Sequence, residues 1–88
     1  MDFIQNKNIV FSKLDGEVCI FHPDNGEYLT LNETGTFIWE LLDDRKSEES
    51  ILSSVLNTFD GQKDAIKVEI NEFLERSTKL NIIKVCSE

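Results

Sequence analysis

The feature that most constrains this chain is a change of side-chain period inside residues 26–42. Up to Leu31 the pattern alternates. Leu29 and Leu31 share one face and Tyr28 and Thr30 the other, the two-residue repeat of a strand. After Asn32 the repeat is helical. Phe37, Ile38, Leu41 and Leu42 define one apolar face and Trp39 widens it. Asn32 sits at the switch, where its side-chain oxygen suits an N-cap, and Glu33 in the first turn complements the positive end of the helix dipole. A short strand therefore runs straight into a helix, and the helix fastens it to the core.

Two further strands precede this stretch. Residues 9–14 are rich in β-formers, among them Ile9, Val10 and Phe11. Asp15-Gly16 supplies a hairpin turn. Residues 17–22 follow, with Val18 and Ile20 on one face and Cys19 and Phe21 on the other, a two-sided apolar pattern that suits a central strand. Pro23-Asp24-Asn25-Gly26 is the strongest turn signal: Pro presets one φ, Asn-Gly supplies positive φ values, and Asp can bond its own backbone. Three strands joined by two tight turns make an antiparallel meander whose first and third strands are edges. Residues 1–8 read as a loose, polar N-terminal arm.

Two helices follow the first. Ser47 caps the second, with Glu48 and Glu49 in its first turn, and Ile51, Val55, Leu56 and Phe59 form its buried stripe. Asp60-Gly61 ends it. The third runs from about residue 62 to residue 80, with Ile66, Ile70, Phe73, Leu74 and Leu80 on its apolar stripe, and Asn81 is an acceptable left-handed residue after it. Ile82, Ile83 and Val85 form an extended tail that packs back or pairs with the sheet. The order βββααα predicts an α+β domain over residues 1–88, a three-stranded antiparallel sheet followed by three helices.

Charge and motifs narrow the function. The chain carries 17 acidic and 9 basic residues, a net charge of −8. Nucleic-acid binding draws on Lys and Arg, so that class is disfavoured. The acidity serves solubility or a basic partner peptide. No apolar run approaches the roughly 18 residues of a membrane span, and no signal peptide is evident, so a cytoplasmic location is expected. Cys19 and Cys86 belong to no CxxC pair and are expected as free thiols, Cys19 as a small buried apolar group. His22 is the sole histidine. Neither a nucleophile elbow, an HExxH motif, a glycine-rich phosphate loop nor an EF-hand loop is present, so no catalytic residue, metal or cofactor is expected. Trp39 reads as a core anchor.

What remains is the third strand. It has no Pro and no Lys, two common devices for blunting an edge, and Glu27 is its only charge. An edge of this kind invites strand addition, with backbone bonds supplying affinity and side-chain pockets supplying choice. The occupant is either a peptide or another copy of this chain, a structural subunit that dimerises through its edge.

Leu29-Thr30-Leu31-Asn32-Glu33-Thr34-Gly35, followed by Ile38-Trp39-Glu40-Leu41-Leu42-Asp43, resembles the signature of the PqqD family, which includes the recognition elements for ribosomally made, post-translationally modified peptides. Ser47-Glu48-Glu49-Ser50-Ile51 resembles the start of that family's second helix, and Phe73-Leu74 with Asn81-Ile82-Ile83 its third helix and end. The likeness spans roughly residues 9–85. Ser77 and Thr78 depart from the family's usual leucines, and Asn81 from its usual glycine. The resemblance implies a winged-helix-like fold and a non-catalytic role. The leader segment of a precursor peptide would add as a strand to Glu27, Tyr28, Leu29, Thr30 and Leu31, against Lys67, Ile70, Asn71 and Leu74 of the third helix. It implies a modifying enzyme or leader peptidase as second partner, in lasso-peptide or similar biosynthesis. The alternatives are a peptide chaperone for a radical SAM enzyme in pyrroloquinoline quinone synthesis and a winged-helix nucleic-acid regulator.

Overall fold

The computed structural model describes residues 1–24 and 26–86. In chain order it contains β1 (Asp2–Gln5), β2 (Val10–Leu14), β3 (Glu17–Phe21), β4 (Tyr28–Thr30), α1 (Glu33–Leu41), β5 (Lys46–Ser47), α2 (Glu48–Thr58), α3 (Lys63–Lys79) and β6 (Ile83–Cys86). The α+β class, the meander and the three helices are as the sequence implied. Strands β2, β3 and β4 form one antiparallel sheet with β3 in the centre. Asp15 and Gly16 take φ values of 52° and 83°, which a two-residue hairpin turn requires. Gly26 has φ 73° in the next turn, and the expectation for Asn25 lies outside the described residues.

The N-terminal segment is not a loose arm. Strand β1 is the middle of a second antiparallel sheet, ordered β5-β1-β6, with Asp2 opposite Cys86 and Gln5 opposite Ile83. Phe3 is buried in the core, and the polar residues beside it are buried because they are satisfied. The Gln5 amide donates to the Leu42 carbonyl at 2.8 Å, and its Nε2 donates to the Trp39 carbonyl at 2.7 Å. The Asn6 amide donates to the Ile82 carbonyl at 2.9 Å, and its Nδ2 to the Asn81 carbonyl at 2.7 Å. These bonds tie the start of the chain to the end of α1 and to the α3–β6 connection. The C-terminal tail, β6, thus pairs with β1 and not with the meander.

Helix starts follow the capping logic. Asn32 Oδ1 accepts the Gly35 amide at 2.8 Å, and Ser47 Oγ accepts the Ser50 amide at 3.1 Å. Helix α3 begins at Lys63 after Gln62, which makes no side-chain cap bond, and Asn81 takes the left-handed φ of 61° beyond its end. One core joins all layers. Val18, Ile20 and Leu31 of the meander meet Ile38, Trp39 and Leu42, with Ile51 and Val55 of α2, Ile70 and Leu74 of α3, and Phe3 and Ile83 of the second sheet. Trp39 is fully buried, with the Phe11 ring edge-on to it at 5.3 Å. Each such large apolar side chain contributes about 1.5–3 kcal/mol by burial. Cys19 departs from expectation: it is half-buried, on the outer face of the meander, because its neighbours Val18 and Ile20 take the core side. No helix among the described residues is long and apolar enough to cross a membrane.

Candidate functional site

Strand β4 has one strand neighbour among the described residues, β3. The Leu31 amide donates to the Val18 carbonyl at 2.8 Å, and the His22 amide donates to the Glu27 carbonyl at 2.9 Å. The register between them places Cys19 opposite Thr30, Ile20 opposite Leu29 and Phe21 opposite Tyr28. In an antiparallel pair, residues that exchange hydrogen bonds alternate with residues that do not. Glu27, Leu29 and Leu31 therefore turn their main chains toward β3. The amides and carbonyls of Tyr28 and Thr30 point the other way, along the open edge.

The side chains divide by the same parity. Leu31 is buried and Leu29 half-buried on the inner face, toward the core. Tyr28 and Thr30 stand on the outer face. Tyr28 is 79% exposed and rests on Phe21, with ring centroids 5.0 Å apart and planes tilted by 54°. Thr30 Oγ1 lies 3.8 Å from Cys19 Sγ. At the end of the strand the ladder closes on a side chain. The Thr36 hydroxyl accepts the Val18 amide at 3.0 Å and donates to the Leu31 carbonyl at 3.3 Å. The first turn of α1 is thereby stitched into the β3–β4 pair.

Where β4 runs into α1 there is a cleft of about 220 Å³. Asn32, Thr34 and Gly35 line one side, and Glu69, Glu72, Phe73 and Arg76 of α3 line the other. Gly35 allows the two helices to approach. A Cβ placed on it would stand 3.1 Å from Phe73 Cε1 and 3.2 Å from Asn32 Oδ1. The α3 wall carries both signs of charge, two carboxylates and one guanidinium.

The nine residues expected from the sequence fall into two groups. Glu27, Tyr28, Leu29, Thr30 and Leu31 lie together along β4 and its two flanking positions. Lys67, Ile70, Asn71 and Leu74 are not brought to the cleft beside it. Lys67, Ile70 and Asn71 line a separate pocket of about 250 Å³ with Glu48, Glu49 and Leu52 of α2. Asn71 and Leu74 border another with Phe3 and Val85. Ile70 and Leu74 are themselves core residues. The reason is helical phase: at 100° per residue, Lys67 and Asn71 lie on the flank of α3 opposite Glu72 and Arg76. The cleft residues Asn32, Thr34, Gly35, Glu69, Glu72, Phe73 and Arg76 were not among those expected from the sequence. One signal for them exists in the sequence. Glycine in the first turns of an apolar helix is unfavourable by about 1 kcal/mol against alanine, so Gly35 marks a close approach.

Three comparisons bear on this geometry. The sequence model of the family described as coenzyme PQQ synthesis protein D (PqqD) matches residues 17–83. No curated protein sequence matches the chain. Among solved structures, TbiB1 in complex with the TbiA(beta) leader peptide is similar at a TM-score of 0.83 and 21% identity, covering 97% of this chain and 99% of that one. A lasso peptide synthetase B1 complexed with the leader peptide is similar at a TM-score of 0.80 and 17% identity, covering 94% of this chain and 98% of that one.

Proposed function

The chain belongs to the PqqD family, and on that premise we propose that it binds the leader segment of a ribosomally synthesised precursor peptide as an added strand beside β4. The observation that carries this reading is the open edge, with the main-chain groups of Tyr28 and Thr30 turned away from β3. Both similar structures are leader-peptide complexes of the same fold, which supports the choice of guest. The cleft between the start of α1 and α3 lies at the end of β4, where a guest strand can continue.

The energetics say what else the guest needs. Two outward amides and two outward carbonyls allow four main-chain bonds. At about 1 kcal/mol net each they supply about 4 kcal/mol, no more than the cost of association itself. Micromolar binding needs about 8 kcal/mol beyond that cost, so side chains must contribute more than the main chain does. The net charge of −8 adds steering for a guest with basic residues around its strand.

In this reading the protein performs no chemistry on the peptide. It holds the precursor for a modifying enzyme or a leader peptidase and raises the effective concentration there. A lasso-type precursor is the first reading, given the lasso peptide synthetase B1 neighbour. The precursor of pyrroloquinoline quinone, presented to a radical SAM enzyme, is the second, given the family's description.

The test is a fluorescence-anisotropy titration with the labelled leader of the precursor encoded alongside this protein. Thr30→Pro removes an outward amide at an edge position where proline is tolerated. The expected result is a micromolar Kd that weakens roughly tenfold or more in a folded Thr30→Pro variant. Equal affinity in the two proteins would place the site elsewhere.

A further inference from the structure

The outer face of the meander is organised in rows that cross the sheet and end at the open edge. Val10 stands opposite Phe21, and Phe21 opposite Tyr28. This first row is wholly apolar or aromatic, and its end members are 59% and 79% exposed. Ser12 stands opposite Cys19, and Cys19 opposite Thr30. This second row is small and carries hydroxyl and thiol groups. Neither row contains a charge.

We propose that these rows read the guest peptide: the residue in line with Tyr28 is aromatic or branched aliphatic, and the residue two positions along, in line with Thr30, is a small or hydroxyl-bearing β-former. The inference rests on the reading that the guest adds as a strand to β4. The register does the rest. Side chains in line across a sheet share a face whether the strands run parallel or antiparallel. A guest residue beside Tyr28 therefore lies on the outer face, and the neighbouring guest residue beside Leu29 turns inward.

The first row gives the guest an aromatic shelf. Phe21 backs the Tyr28 ring at 5.0 Å, so the ring offers its remaining surface to a third strand. Cross-strand aromatic and branched pairs are favourable beyond simple burial. Added apolar cover on Tyr28 also removes from water one of the most exposed large apolar side chains of the protein. A carboxylate or ammonium at this position would be set against an uncharged row and gains no partner there. In the second row, a bulky guest residue would overhang Thr30 and Cys19, whereas a serine, threonine or valine continues the row at matching height. The guest is thus a peptide with alternate-position preferences on the outer face, in addition to whatever its inward residues require.

A random dodecapeptide display library selected on the whole protein provides the probes. Enriched peptides, synthesised with a fluorophore, are titrated against wild type, Tyr28→Phe, Tyr28→Thr and Thr30→Pro. Tyr28 is exposed, and both replacements at that site keep high strand propensity, so the variants fold. The expected enrichment is an aromatic or branched residue at one position with Ser, Thr or Val two away. Tyr28→Phe, which keeps the ring, binds more tightly than Tyr28→Thr. Tyr28→Thr weakens binding roughly threefold to tenfold, and by less than about twofold when the aligned peptide residue is alanine. Thr30→Pro weakens every peptide. Wild-type affinity in Tyr28→Thr with loss in Thr30→Pro would overturn the subsite and leave strand addition standing. Wild-type affinity in Thr30→Pro would remove both. A dimer in sedimentation that Tyr28→Thr dissolves would also overturn the proposal, since the rows would then serve a second copy of the chain.

Discussion

The Thr36 hydroxyl accepts the Val18 amide at 3.0 Å, where a strand carbonyl would otherwise stand. The same oxygen donates to the Leu31 carbonyl at 3.3 Å. Val18, Leu31 and Thr36 are all buried, so water does not substitute if the hydroxyl is lost. Thr36→Val keeps the shape and strands the Val18 amide, at a cost of about 1–3 kcal/mol. Thr36→Ser keeps the hydroxyl and loses one methyl, about 1 kcal/mol. Urea unfolding of the two variants checks the order. Full stability in Thr36→Val, with Thr36→Ser still losing the methyl, would mean that the hydroxyl bridge contributes nothing.

Strand β1 gives the second prediction. Phe3 is 5% exposed, and Gln5 and Asn6 hold the main chain at Trp39, Leu42, Asn81 and Ile82. Phe3→Ala should cost about 3 kcal/mol or more, a fall in Tm of roughly 12 °C or more for a domain of this size. Removal of the first six residues should abolish cooperative unfolding. A loose arm would give a change near zero in both experiments, read by thermal melting.

The two flanks of α3 give the third. Lys67 and Asn71 line the α2-side pocket, away from the cleft at the end of β4. If the guest lies beside β4 and the cleft, Lys67→Ala should leave leader-peptide affinity within about twofold, as an exposed charge on the other flank of α3 contributes little. Gly35→Val drives a branched side chain toward Phe73 and the Asn32 cap. It should cost about 1–3 kcal/mol of stability, read by urea unfolding.

The parts of this fold that were legible in the sequence are those with local causes. Asn32 and Ser47 cap the helices they precede, Asp15-Gly16 turns the first hairpin, and Val18, Ile20 and Leu31 alternate into the core. The second sheet had no local cause. Strand β1 is four residues long with polar ends, and its partners are Lys46 and Ser47 on one side and residues 83–86 on the other. Its polar residues looked solvent-facing because their acceptors lie in other elements. The edge half of the candidate site was legible because alternation fixes which side chains share a face. The α3 half was not. An apolar stripe says which face of a helix is buried, but the neighbour that each flank meets depends on how the helices cross, and Gly35 decides that contact with Phe73.

The central claim is that a peptide adds to the edge through Tyr28 and Thr30, and amide hydrogen exchange tests it residue by residue. The free protein should exchange the Tyr28 and Thr30 amides readily, and that of Leu31 slowly because it is bonded to β3. With saturating leader peptide the account predicts strong new protection at Tyr28 and Thr30 and little change at Lys67 and Asn71. Unchanged exchange at Tyr28 and Thr30, with new protection on the Lys67–Asn71 flank of α3, would contradict it.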